Sequence, residues 1–162
     1  MPKDDIALEL PDPATAPELF ESVLLRRSIA WFIDFTILGF ITSFVMLTGL
    51  VAGIFTFGLA WVGLIFAVPL SIAFYYAVTL GSERRATIGM ALMDLVLTPA
   101  NGRPLDGWHV VVHPLVFWIT SWFLPPLSLL FALFTPRRQT VQDLVTGTLM
   151  VRRSPMERHW AG

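Results

Sequence analysis

Residues 35–82 read FTILGFITSFVMLTGLVAGIFTFGLAWVGLIFAVPLSIAFYYAVTLGS, 48 residues without an Asp, Glu, Lys or Arg. About 20 apolar residues in a helix cross the roughly 30 Å of bilayer hydrocarbon, so this run is long enough for two crossings and a tight turn. Spans are expected at 27–48 and 54–80, with Thr48, Gly49 and Gly53 breaking the chain between them. Gly49 and Gly53 also have the spacing of a helix-packing pair, but at an expected bend they read as turn residues. Arg26 and Arg27 before the first span, and Arg84 and Arg85 after the second, put both outer ends on the cytoplasmic side by the positive-inside rule.

The whole chain agrees with this start. Of its 162 residues 55% are hydrophobic and only 14% charged, with a mean hydropathy of +0.68, well outside the range of soluble domains. With no cysteine, disulfides, thiol nucleophiles and thiolate metal sites are excluded. Residues 1–21 hold six of the twelve acids, one Lys and four Pro, which predicts a disordered, extended acidic arm. They lack the basic start and short apolar core of a signal peptide, so the first apolar segment is expected to remain as an anchor. Among six Trp, Trp31 and Trp108 fall near expected interfaces and fit an aromatic belt.

A third uncharged block, 107–136, contains Pro125-Pro126, which disfavours a straight helix. A single crossing would leave Arg137, Arg138, Arg152, Arg153 and Arg158 outside, whereas a re-entrant hairpin turning at the prolines returns them to the cytoplasm and is favoured. Between the blocks, Met93, Leu95 and Leu97 alternate ahead of Asn101-Gly102, the signature of a strand and turn. The segment 147–153 can pair with 92–98 as a second strand. The fold expected is therefore an α-helical integral membrane protein: two transmembrane helices, a Pro-interrupted third apolar hairpin or span, and a small cytoplasmic two-stranded β element. Its membrane domain runs over 22–153 and a cytoplasmic tail over 154–162.

Asp34 is a carboxylate just inside the apolar run. Arg27 lies seven residues before it, about 20° from the same helical line and about 10.5 Å along the axis, with the small Ala30 between. Ala30 lets a long Arg stem or another backbone pass. An ionised carboxylate one turn below the headgroups costs about 1 to 3 kcal/mol unless partnered, and Arg27 or a neighbouring helix end is the expected partner. A proton or cation site and a structural pin between helix and cytoplasmic cap both fit these residues. Thr140 and Asp143 form a Thr-x-x-acid pattern that caps a short helix, which Gly147 would end in a left-handed conformation. His109 and His113 have metal-ligand spacing without a third ligand, and Pro114 suggests that a helix begins near them. No nucleophile with its base, phosphate loop or nucleic-acid-binding pattern is present, so no catalytic residue, cofactor, metal or nucleic-acid partner is expected.

The segments RRSIAWFID (26–34), TIGMALMDLVLTPANGRPL (87–105) and RRQTVQDLVTGTLMV (137–151) together resemble the RDD family of bacterial membrane proteins, named for an Arg and two Asp. The resemblance covers 24–153. It aligns Arg27 with the family's Arg, Ala30 with its small residue, Asp34 and Asp143 with its two Asp, and Gly147-Thr148 with the Gly-Thr that follows. The chain departs from the pattern at Thr87-Ile88-Gly89-Met90, where Thr-Pro-Gly-Lys is common, at Gln142 in place of a His, and at His113 in place of an Arg. The resemblance implies a transporter-like, multi-pass protein of the cell (inner) membrane with a cytoplasmic N-terminus, ion- or proton-coupled in some members. Its polar cluster would be Arg27, Asp34 and Asp143 at the inner face. The expected partners are the lipid bilayer and a second copy or other membrane protein, because two spans and a hairpin enclose a polar path poorly alone. The alternative is a non-transport scaffold or accessory subunit that binds a protein partner.

Overall fold

A computed structural model describes residues 13–99, 107–123 and 127–161. The expected turns at Asn101-Gly102 and Pro125-Pro126, and the first twelve residues of the acidic arm, lie outside this description.

The charge-free run folds as two helices, α1 (Val23–Phe55) and α2 (Leu59–Leu80), joined at Thr56, Phe57 and Gly58. The break falls later than expected. Gly49 and Gly53 are inside α1, where a Cβ on Gly49 would come within 2.3 Å of the Leu64 side chain and one on Gly53 within 1.8 Å of the Trp61 indole. The pair is thus a packing face for α2, and the turn is made by Gly58 at φ +91°. Trp61 locks the hairpin end by donating from Nε1 to the Leu50 carbonyl at 3.1 Å. Both helices are long and apolar enough to cross a membrane, and most of their apolar side chains, Phe40, Phe44, Phe66 and Phe74 among them, are exposed.

The N-terminal turns of α1 behave differently. Val23, Arg27, Ala30, Asp34 and Leu38 are buried, a stripe at intervals of three and four that turns one helix face toward the rest of the chain. Packed there are α3 (Ile88–Leu92), β1 (Leu95–Pro99) and β2 (Thr148–Arg152). The strands pair antiparallel with Leu97 opposite Met150, as 92–98 and 147–153 were expected to do. The sheet is covered on both faces. Leu95, Leu97 and Met150 pack with Val23, Ala30, Leu80 and Met90, while Val96, Leu149 and Val151 pack with Ala16, Leu19, Phe20 and Met156.

That second layer is built from both chain ends, and it replaces the disorder expected for the described end of the arm with packing. A short 3-10 turn, Pro17–Leu19, lays Leu19 and Phe20 onto the sheet, so the C-terminal part of the acidic arm is packed; and the tail forms α7 (Arg153–Ala161), whose Met156 is buried. Asp94, in a left-handed conformation at φ 58°, holds the start of α7 by accepting from the Ser154 amide at 3.0 Å.

The third apolar block contains α4 (Gly107–Phe123) and α5 (Leu127–Phe134), followed by α6 (Val141–Thr146). Pro114 lies inside α4 and does not open it. His113 near the start of the block bonds to Asp143, and the Arg138 carbonyl just beyond its end accepts from Arg27 at 3.2 Å. One end of the block therefore meets the carboxylate and the other the guanidinium of a single ion pair, so the two ends lie close together.

Candidate functional site

Arg27 leaves α1 toward α6. Its Nη2 pairs with Asp143 Oδ2, its Nε donates to Met150 Sδ at 3.0 Å, and its Nη1 reaches the Arg138 carbonyl. Asp143 is fully buried and surrounded by donors. Oδ1 accepts from His113 Nε2 at 3.0 Å, and Oδ2 accepts from the Thr140 amide at 3.0 Å and the Thr140 hydroxyl at 2.9 Å as well as from Arg27. Burial by itself would raise this carboxyl, but the Arg27 charge, helped by His113 and the Thr140 amide, outweighs it and holds Asp143 well below the usual carboxylate range.

The expected cap is present: Thr140 precedes α6, Asp143 bonds back to its amide, and Gly147 ends the helix at φ +64°. Thr148, fully buried, opens β2 and bonds through its hydroxyl to Thr146 at 3.0 Å.

Asp34 has other partners. The Tyr75 hydroxyl from α2 donates to Oδ1 at 2.5 Å, the Gly89 amide to Oδ1 at 2.8 Å, and the Thr87 hydroxyl to Oδ2 at 2.5 Å. Thr87 is the N-cap of α3, and its Oγ1 also accepts from the Met90 amide at 3.2 Å. Of the two partners expected for Asp34, the neighbouring helix end is the one observed and Arg27 is not. Among the described residues no Arg, Lys or His lies within ion-pair distance of Asp34. The close approach belongs to Gly89: a Cβ there would come within 2.2 Å of the Ala30 carbonyl and 2.9 Å of the Asp34 carboxyl. The missing side chain of Gly89 thus lets α3 touch α1 where the carboxylate sits.

The three motif residues do not form one contact cluster. They form two networks, Arg27–Asp143–His113 and Asp34–Tyr75–Thr87–Gly89, joined by a cavity of about 380 Å³ that Arg27, Asp34, Thr87, Thr140, Gln142 and His113 line on its polar side. Its other walls are apolar and aromatic, among them Leu38, Tyr76, Phe117 and Trp118. His113, which has metal-ligand spacing with His109 and stands where the family pattern has an Arg, turns its imidazole to a carboxylate; among the described residues no group of three or more His, Asp or Glu is arranged to hold a metal ion. Tyr75 carried no signal in the sequence. Thr87 did, through its position three residues before the Met90 amide that it caps.

Two long apolar helices with exposed apolar faces, carrying a small polar cap at one end, fit a membrane protein. The chain belongs to the RDD family, whose profile matches residues 22–147 and so takes in Arg27, Ala30, Asp34, Thr140, Asp143 and Gly147. No curated protein and no solved structure matches the chain.

Proposed function

We propose that this chain is a multi-pass protein of the cell membrane, N-terminus cytoplasmic, and that it works as a transporter-like subunit in which Asp34 exchanges protons. The observation that carries this reading is a buried carboxylate that borders a cavity and has only neutral donors around it. A carboxylate with a fixed cation is an anchor. One held by hydroxyls and an amide has no fixed counter-charge, and a hydroxyl beside it, being donor and acceptor both, can turn to receive a proton's bond. Protons suit the site better than sodium, which asks for several oxygen ligands, whereas much of the cavity wall is carbon. The cap and its arginines lie on the cytoplasmic side, with the 107–136 block re-entering from it. A second copy or another membrane subunit completes the path. The chain acts without catalysis and without a cofactor.

The experiment is proton flux into liposomes containing the purified protein, read by an internal pH dye, with Asp34→Asn alongside and sodium or choline as the outer cation. Flux that disappears in Asp34→Asn supports the proposal, whereas equal flux in both proteins sinks it. A second reading, a non-transport scaffold that binds a partner, is favoured by the Arg27–Asp143 pair, which ties α1 to α6 as a fixed anchor would. Stoichiometric recovery of one protein on mild-detergent pull-down, with no flux, would select it.

A further inference from the structure

We infer that the cavity between α1, α2 and α4 binds a lipophilic cation, a single diffuse positive charge carried on apolar or aromatic groups. The inference rests on the reading of Asp34 as the working carboxylate and names the class of substrate that its cavity takes.

Charge comes first. Among the described residues, Arg27 and Asp34 are the formal charges that line the cavity, with the imidazole of His113 beside them. The Arg27 charge is already matched by Asp143, which lies behind it and is fully buried. Asp34 has no such match among the described residues, so it is the lining charge left for a cation to meet. Among the described residues its Oδ2 accepts one bond, from Thr87, which leaves a further lone pair to offer.

The walls decide which cation. The nearest hydroxyls are engaged: Thr87 Oγ1 donates to Asp34 and accepts from Met90, and Thr140 Oγ1 donates to Asp143. A small inorganic ion stripped of water would find too few oxygens. Aromatic faces are plentiful, with Trp31, Phe35, Tyr76, Phe117 and Trp118 around the cavity and Trp31 stacked on Phe35 at 5.3 Å. Such faces attract a poorly hydrated cation, and the apolar side chains beside them take its substituents. A volume of about 380 Å³ suits a small organic molecule. Trp31 and Phe35, which line the cavity, are also 40% and 54% exposed, so its wall is continuous with the apolar surface of α1. An amphiphile dissolved in hydrocarbon would meet that surface, whereas a hydrated ion would not.

The test is equilibrium dialysis of the detergent-purified full chain against labelled tetraphenylphosphonium, with tetraphenylborate as the anion of similar shape. Saturable binding of tetraphenylphosphonium is expected, weakened about tenfold or more by Asp34→Asn and by Trp118→Ala. Leu38→Trp fills the cavity while keeping Asp34, and is expected to abolish binding with the thermal transition preserved. Absence of saturable binding, equal binding of tetraphenylborate, or binding indifferent to all three substitutions would overturn the inference. Proton flux on the same preparations separates the two ideas. Asp34-dependent flux without phosphonium binding removes this inference alone; phosphonium binding without flux keeps it and removes the coupling.

Discussion

Asp143 receives a guanidinium, an imidazole, an amide and a hydroxyl, whereas Asp34 receives two hydroxyls and an amide. This difference sets their chemistry. The Asp143 carboxyl is held below its unfolded value, so its contribution to stability is fully present above about pH 4 and is lost as the pH falls through the unfolded value toward the folded one. Breaking a buried pair costs about 3–5 kcal/mol, so Asp143→Asn is expected to unfold at clearly lower temperature at pH 7, with a much flatter loss of stability on acidification. Thermal unfolding in detergent from pH 7 to pH 3 checks both. The Thr140–Asp143 cap was legible because it is local, three residues long and chemically specific. The Arg27–Asp143 pair spans 116 residues and was not expected as a pair: the resemblance only groups Arg27, Asp34 and Asp143, and spacing carries no information over that distance. Pairing Arg27 with Asp34 was the natural local reading. It fails because α6 brings a second carboxylate to the guanidinium, while α3 and Tyr75 supply donors to the first.

At the level of elements, the apolar run correctly marked two long helices, but glycine spacing misplaced their junction. Gly49 and Gly53 permit a bend, yet they also permit close approach, and the bulk of Leu64 and Trp61 on the facing helix decides for approach. Substituting Gly53 with Val would drive a branched side chain into the Trp61 ring. The expected cost is about 1–3 kcal/mol of overpacking, measured as a lower unfolding temperature in detergent. Gly39, where a Cβ meets nothing within 4 Å, is the control, and Gly39→Ala should change little. The strands were legible from alternation and from the segment available to pair with them. Their second cover was not: Leu19, Phe20 and Met156 sit in stretches whose charge and proline content read as arm and tail, and only contact with Val96, Leu149 and Val151 gives them a role. Burial on both faces also explains why β2 runs Leu149, Met150, Val151 without a polar residue between them.

On the scale of the whole molecule, the arginine-bearing ends gather on one side: Arg26 donates to the Met93 carbonyl at 2.9 Å, and the Leu97 amide donates to the Arg85 carbonyl at 3.1 Å. The α1–α2 junction, with Phe57 wholly exposed, forms the far end of the hairpin. Because the chain has no native cysteine, Ser154→Cys and Phe57→Cys each provide a single reactive thiol. In sealed vesicles of known orientation an impermeant maleimide should label the first from the cytoplasmic side and the second from the opposite side. Labelling of both from one side would refute the crossing. The division of labour between the carboxylates makes a sharper demand. Proton flux and unfolding temperature should be measured together on Asp34→Asn and Asp143→Asn, with flux expressed per folded protein. The account predicts that Asp34→Asn, which keeps an oxygen to accept from Tyr75 and Gly89, unfolds close to the native temperature and carries no flux, whereas Asp143→Asn unfolds early and its folded fraction still conducts. Flux retained in Asp34→Asn and lost in folded Asp143→Asn would contradict it.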